Sequence, residues 1–450
     1  MIYFDNAATT FPKPGCVVQA VQQAMLYYGA NPGRGGHDLS MQTGRMVHRC
    51  RERAAALFGC QPEQVVFTKN CTESLNIVIK GLAQPGDHFI ISDLEHNAVY
   101  RVMEQLRRQG IIEYSVAAVE ENEQKTVWNF EHLIRPNTRM IVCTQASNVF
   151  GMRVPVERIG AMARCRGVMM TVDAAQSAGL LPLDLRRQAI DYLCLPGHKG
   201  LYGPAGTGLL IVNCPVLPQP LLSGGTGSFS MEPVMPDLLP DRLEGGTVNT
   251  PGILGLSAGI SFVLQNTPQR LYEKEMQLCA SLYEQLCGIR GVQLYSQPPC
   301  IGKNLPVIAL NLGNLDSTTA AECLNEKGIA VRAGFHCAAL AHRKMHTDRD
   351  GVVRMSLGGV GRNIAHNMAL LGMDVRMVTV FGDDINAQKI AASCGELGID
   401  ISQSPVIPEG HTSTYLFIND EKGDMLLAVS DMDIYRHLTP QLLSQRQKLL

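Results

Sequence analysis

Short apolar runs at residues 64–68, 88–92, 140–144, 168–172, 192–195 and 208–212 alternate with stretches of helical periodicity at 17–28, 43–57 and 73–82. This alternation is the strongest constraint on the fold. Parallel strands must be joined by crossovers, usually helices, and strands buried on both faces read as continuous apolar runs. The pattern therefore predicts an α/β domain with a mostly parallel sheet covered on both faces, and it places reactive residues at strand ends. A stretch at 224–251, rich in Gly, Pro and Thr, reads as a long functional loop leading to a second unit. That unit has helices at 251–266 and 269–286, strands near 292–295 and 307–312, and a helix at 317–327 closed by Gly328. At 450 residues and 45% hydrophobic, the chain exceeds what one core accommodates. The expected division is an N-terminal segment 1–15 that joins the small domain, a large domain 16–250, a small domain 251–357 and a further segment 358–450.

Charge narrows the class of partner. A net charge of -2, from 39 basic and 41 acidic side chains intermixed along the chain, gives no electrostatic reason to expect nucleic acid or an anionic membrane. A small molecule is the expected partner. The opening residues Met1-Ile2-Tyr3-Phe4-Asp5 form neither a basic nor an apolar leader, and no apolar stretch is long enough to span a bilayer, so a cytoplasmic location is expected. The 14 cysteines include no C-x-x-C pair, which suggests neither a metal site nor a disulfide framework.

Two residues carry the chemistry, Lys199 in Leu195-Pro196-Gly197-His198-Lys199-Gly200 and Cys337 in Arg332-Ala333-Gly334-Phe335-His336-Cys337-Ala338. A lysine in a Gly-bounded turn is ordinarily solvated, and its company is what distinguishes this one. Asp173, just past a strand, could pair with a pyridinium nitrogen and make the ring an electron sink. Asn148 and Gln176 are amides suited to a phenolic oxygen, and His96 follows another strand, where its imidazole could stack on a ring. Cys71 and Thr72 lie between a strand and a helix, where first-turn N–H groups and the Thr72 hydroxyl could cradle a phosphate; Thr72 could equally be an N-cap.

These runs, together with Tyr3-Phe4-Asp5-Asn6-Ala7-Ala8-Thr9-Thr10 and Glu244-Gly245-Gly246-Thr247-Val248-Asn249, resemble class V pyridoxal-phosphate enzymes, specifically cysteine desulfurases and selenocysteine lyases, over about residues 1–357. The resemblance implies a fold-type I pyridoxal-phosphate-dependent transferase, with a large mostly parallel-sheet domain and a smaller α+β domain. It implies Lys199 as the Schiff-base lysine, Asp173 as partner of the ring nitrogen, His96 as the stacked imidazole, and Asn148 and Gln176 near the phenolic oxygen. Cys71, Thr72 and His198 match phosphate contacts, and Thr247 matches a residue that reaches the phosphate of a neighbouring subunit, which implies a homodimer. Cys337 matches the persulfide-forming cysteine, with His336 and Arg332 lowering its thiol pKa. Arg354 matches the clamp on the substrate carboxylate, and Ala8, Asn148 and Arg332 complete the implied substrate site. The implied reaction converts L-cysteine to L-alanine with a persulfide on Cys337, which a sulfur-acceptor protein could receive. L-selenocysteine, or another C–S lyase substrate, is the alternative; a simple lyase or transaminase follows if Cys337 is not required. Pro196 departs from the pattern, since many relatives carry a Ser there that contacts the phosphate; losing that hydrogen bond costs about 1 kcal/mol.

Beyond Gly358 the resemblance changes. Gly358-Gly359-Val360-Gly361-Arg362-Asn363 and Phe381-Gly382-Asp383-Asp384 resemble the N-terminal signature of ribokinase-like sugar and nucleoside kinases, most closely pseudouridine kinases, over about residues 352–450. This segment reads as a partial α/β unit, with a strand at 375–380, a helix at 386–397, strands between 401 and 429 and a helix at 439–448. A further helix at 362–371 could stand in for the terminal helix of the small domain. The anion hole and catalytic Asp of such kinases are absent, so no phosphoryl transfer is expected. Residues 353–358 fit both families, and the expected origin is a chimera joined near Gly358, in which impaired desulfurase activity is one outcome.

Overall fold

The computed structural model describes residues 2–33, 36–358, 375–396, 398–419, 425–431 and 433–439. Contacts divide the chain into two units, Tyr3–Gly358 and Gly359–Leu450 with Met1–Ile2. After a two-residue strand β1 (Ile2–Tyr3), seven strands make the main sheet of the first unit: β2 (Val65–Thr68), β3 (Asp87–Ser92), β4 (Ile112–Ala117), β5 (Thr138–Thr144), β6 (Met169–Asp173), β7 (Tyr192–Pro196) and β8 (Gly208–Val212). Their order is β2-β8-β7-β6-β5-β3-β4. All neighbours are parallel except β8, which runs antiparallel to both β2 and β7. The mostly parallel sheet expected from the apolar runs is present. Only β4 lacked a signal, because as an edge strand it buries just its two ends and interleaves Glu113, Tyr114 and Ser115.

Period-two alternation sorts the side chains onto two cores. Ile90, Ile141, Val172, Leu193 and Leu209 face helices α2 (Asp38–Phe58), α6 (Val156–Cys165) and α7 (Thr250–Asn266). Phe89, Met140, Val142, Tyr192 and Leu210 face α3 (Cys71–Leu82) and α4 (Asn97–Arg108). Helix α7 contributes Ile253, Leu256 and Ile260 to the first of these cores. Between β8 and α7 no regular element occurs, as the Gly- and Pro-rich composition predicted.

A buried ion pair fixes this long loop to the sheet. Arg51 on α2 pairs with Glu244 through Nη1–Oε1 at 2.8 Å and Nη2–Oε2 at 2.7 Å, and Glu244 Oε1 also accepts the Phe67 N–H at 2.6 Å. The two side chains are only 10% and 8% exposed. Removing one partner leaves the other charge buried and unpaired, so Arg51→Met is expected to destabilise the protein by about 3 kcal/mol in equilibrium urea unfolding. A loss below about 1 kcal/mol would show that water replaces the missing charge.

The smaller layer is an antiparallel sheet, order β12-β10-β9, of β9 (Val292–Leu294), β10 (Val307–Leu312) and β12 (Val353–Ser356), with α8 (Pro268–Cys287) and α9 (Ser317–Glu326). The N-terminal segment links it to the Lys199 turn. Ser356 N–H donates to the Phe4 carbonyl at 2.7 Å, and Thr10 Oγ1 donates to the Lys199 carbonyl at 2.8 Å.

The second unit is a separate small α/β arrangement. Strand β13 (Val375–Arg376) pairs in parallel with β15 (Ile399–Asp400), and β14 (Phe381–Gly382) with β16 (Val406–Ile407). Helix α11 (Ile385–Glu396) lies between them in sequence and buries Cys394 beside Ile399, with Met377 and Ile390 packed against the pair. An antiparallel hairpin of β17 (Thr414–Asn419) and β18 (Met425–Asp431) follows. Of the run expected as a strand at 375–380, only Val375–Arg376 is one, and the next short strand begins after it, at Phe381. The helix expected at 362–371 lies outside the described residues, as does all but Thr439 of the helix expected at 439–448.

Candidate active site

Because β7, β6, β5 and β3 are adjacent and parallel, the turns after their C-terminal ends meet. Those turns carry Lys199, Asp173, Asn148 and His96 in that spatial order, and all four line one cavity with about 520 Å³ of empty space. Cys71, Thr72, Gln176 and His198 line it too, as does Pro196, which has no N–H to offer.

The Lys199 turn is built on close backbone approaches. A Cβ at Gly200 would lie 2.2 Å from the Ala178 carbonyl oxygen, and one at Gly179, where φ is +86°, would lie 2.1 Å from the Gly200 carbonyl. Only glycine fits at either position. Burial lowers the Lys199 ammonium pKa, and the nearby Asp173 carboxylate opposes that shift. Asp173 is 3% exposed. Its Oδ1 accepts the Ala175 N–H at 2.8 Å and the Cys71 thiol at 3.3 Å, while no hydrogen bond to Oδ2 occurs among the described residues. Burial, and next the Asp173 charge, push the Cys71 thiol well up, so Cys71 serves as a neutral donor.

His96 Nδ1 accepts the Ala98 N–H at 3.0 Å and caps α4, which leaves the proton of the neutral ring on Nε2. Burial lowers its pKa, so it presents a neutral ring face. The anchor beneath it escaped the sequence reading. Glu95, fully buried, accepts from the Thr144 N–H at 2.8 Å and from Ser92, tying the end of β3 to the end of β5, and burial pushes its carboxyl up to about 8.

At the opposite end, Asn70 and not Thr72 caps α3, its Oδ1 accepting the Glu73 N–H at 2.9 Å. The N–H groups of Cys71 and Thr72 have no acceptor among the described residues, and the Thr72 hydroxyl is not used by the cap. This helix start remains available to an anion. Burial, followed by Lys199 and Lys13, pushes the His198 ring down to about 4, so any anion contact there is with a neutral imidazole. Gln176 donates to the Ala7 carbonyl at 3.1 Å. Thr247 is exposed and lines a different cavity, with Thr68, Lys69 and Gly206.

The remaining predicted residues do not line the Lys199 cavity but connect to it. Arg354 on β12 is buried; its Nη2 donates to Asp5 Oδ1 at 2.7 Å and its Nη1 to the Asn148 carbonyl at 3.0 Å, while Nε has no partner. Asp5 was missed in the sequence, although a buried guanidinium calls for a counter-charge. Arg332 and Arg354 exchange backbone hydrogen bonds, at 3.3 and 2.7 Å, and the Ala8 N–H donates to the Asp5 carbonyl at 3.0 Å. Cys337 is exposed, and its carbonyl accepts the Asn97 N–H at 2.7 Å, which docks the cysteine loop beside His96. One expectation is corrected here. His336 is buried with Nε2 on the Val352 carbonyl at 3.0 Å, and burial, reinforced by Arg354, pushes its pKa down to about 3. It is neutral at pH 7 and supplies no positive charge to lower the thiol pKa of Cys337.

The residues present fit pyridoxal phosphate: an amine for its aldehyde, a carboxylate with an unengaged oxygen for its ring nitrogen, and a helix N-terminus for its phosphate. The aminotransferase class-V family model matches residues 2–361, and the pfkB family carbohydrate kinase model matches residues 332–450, so the two overlap at 332–361. A Methanothermobacter thermautotrophicus protein named "probable cysteine desulfurase" is 32% identical over 389 residues, covering 85% of this chain and 95% of that one. An apo cysteine desulfurase from Thermococcus onnurineus NA1 superposes with a TM-score of 0.72 at 29% identity, covering 83% of this chain and 95% of that one. A cysteine desulfurase from Escherichia coli does so with a TM-score of 0.71 at 26% identity, covering 82% and 93%. With its fold-type I architecture and with Lys199 and Asp173 meeting at adjacent strand ends, this chain belongs to the aminotransferase class-V family.

Proposed function

We propose that residues 2–358 form a pyridoxal-phosphate-dependent cysteine desulfurase, which converts L-cysteine to L-alanine and leaves the sulfur as a persulfide on Cys337. The observation that carries this reading is the docking of the Cys337 loop, through the Asn97 N–H and the Asn148 amide, onto the strand ends that hold Lys199 and Asp173. Bound there, pyridoxal phosphate supplies the electron sink that weakens the bonds at Cα of an amino acid. Asp173 Oδ2 holds the proton on the ring nitrogen, with Ala175 and Cys71 fixing its Oδ1. Thr72, His198 and the first N–H groups of α3 bind the phosphate, His96 offers its neutral ring face, and Gln176 adds an amide. Lys199 Nζ would hold the aldehyde and, as a free amine, would accept the Cα proton of the substrate. Its lowered pKa populates that free amine at a lower pH than an exposed lysine allows. Arg354, next to the cavity through its hydrogen bond to the Asn148 carbonyl, would orient the substrate carboxylate together with Ala8 and Arg332. Cys337, as thiolate, would form a bond to the substrate sulfur as the Cβ–S bond breaks; Cβ would gain the proton that the substrate thiol gives up, and Lys199 Nζ would return its proton to Cα, which completes alanine.

The decisive test is a visible spectrum of the purified protein before and after L-cysteine. The expected result is a bound-cofactor band that shifts on addition, with alanine and sulfide appearing in equal amounts under a reductant. An unchanged spectrum, or pyruvate in place of alanine, would sink the reading. L-selenocysteine in the same assay decides the substrate preference.

The reading extends to a homodimer, supported by the placement of Thr247 away from the Lys199 cavity and by exposed Met25, Leu26 and Tyr27 on α1 (Gly15–Tyr27), with Phe229, Met231 and Val234 in the long loop. Light scattering is expected to give twice the chain mass of 49.0 kDa. No helix among the described residues is long and apolar enough to cross a membrane, and we place the protein in the cytoplasm.

A further inference from the structure

His336 and Cys337 both have left-handed backbone, with φ of +47° and +56°. For residues with a side chain this conformation costs free energy, so two in succession persist only where the surroundings hold them. The holds are visible. The Cys337 carbonyl accepts the Asn97 N–H at 2.7 Å, the His336 ring donates to the Val352 carbonyl at 3.0 Å, and the His336 carbonyl accepts Asn148 Nδ2 at 2.8 Å. Among the described residues, Asn148 makes the only side-chain hydrogen bond to either carbonyl of the turn.

Asn148 is itself firmly placed. It follows β5, its backbone carbonyl accepts from Arg354 Nη1 at 3.0 Å, and its side chain lines the Lys199 cavity, where Oδ1 is buried without a donor. An amide suits the position because it offers N–H to the loop while its oxygen stays available on the cavity side; a carboxylate would set oxygen against oxygen at the His336 carbonyl.

We propose that Asn148 is a positioning residue for Cys337, holding the His336 carbonyl and with it the left-handed turn that presents the thiol beside His96. This rests on the reading of Cys337 as the sulfur acceptor, and it gives Asn148 a role separate from contact with cofactor or substrate.

The test uses full-length holoenzyme with Asn148→Ala and the isosteric Asn148→Leu. Hydrogen–deuterium exchange is followed in the tryptic peptide 333–343 and at the start of α4. Loss of the hydrogen bond is expected to speed exchange there about fivefold, the factor equivalent to about 1 kcal/mol. In parallel, kcat for sulfide release is expected to fall at saturating cysteine and saturating pyridoxal phosphate. Gln176→Ala, which removes another cavity amide whose donor goes to Ala7, is the control expected to leave exchange in 333–343 unchanged. Unchanged exchange in both Asn148 variants overturns the proposal, as does a shifted cofactor band with an unaltered loop, which would make Asn148 a cofactor contact only. Should the parent protein bind no cofactor, the desulfurase reading fails, while exchange in the loop still decides whether Asn148 holds it.

Discussion

Replacing Lys199 by alanine is expected to lower cysteine turnover by at least about 10³-fold, within the range attributable to a positioned acid–base group. Two functions are lost at once. The cofactor aldehyde would lose its covalent tether, and no other amine lines the cavity to receive the Cα proton, since Asp173, the neutral Cys71 thiol and the neutral His96 and His198 are the other ionisable groups lining it. Lys199→Arg is not expected to rescue, because a guanidinium stays protonated and cannot accept that proton. Retention of the parent's linked-cofactor band in Lys199→Ala, or turnover within tenfold of parent, would remove Lys199 from the chemistry.

Cys337→Ala is expected to separate the two halves of the site. The cavity that would hold the cofactor contains no atom of Cys337, so cofactor absorbance and its response to cysteine should survive. Sulfide release should fall by at least about 100-fold, a conservative figure for removing a nucleophile. Full sulfide release by this variant would replace the desulfurase reading with a simple lyase or transaminase. Since His336 is neutral, any ease of thiolate formation at Cys337 must come from elsewhere, and His336→Gln is a direct check: it should leave the pH profile of Cys337 alkylation unchanged.

Much of this was legible in the sequence, and the exceptions have physical causes. The apolar runs at β5, β7 and β8 were unambiguous because those strands are buried along nearly their whole length. Strand β4 was silent because it buries only its two ends, Ile112 and Ala117, and shows neither a continuous apolar run nor an alternation. Lys199, Asp173, His96 and Asn148 could each be named from position at a strand end. Glu95 could not, since a glutamate beside a histidine carries no mark of complete burial. Asp5 stood inside a recognised motif, yet its pairing with Arg354 spans 349 residues of chain and has no local signature.

The sequence by itself determined most of the kinds of element, the candidate reactive side chains and the change of family near Gly358, because periodicity and motif are local properties of a chain. The tertiary structure decided what those side chains are to one another. Strand order β7-β6-β5-β3 sets Lys199, Asp173, Asn148 and His96 side by side although they are spread over about a hundred residues. Burial makes His96, His198 and His336 neutral, and the Asn148 amide holds a strained turn next to Cys337. Desolvation and hydrogen-bond partnership depend on what packs against a group, and that is fixed only when distant segments close over it.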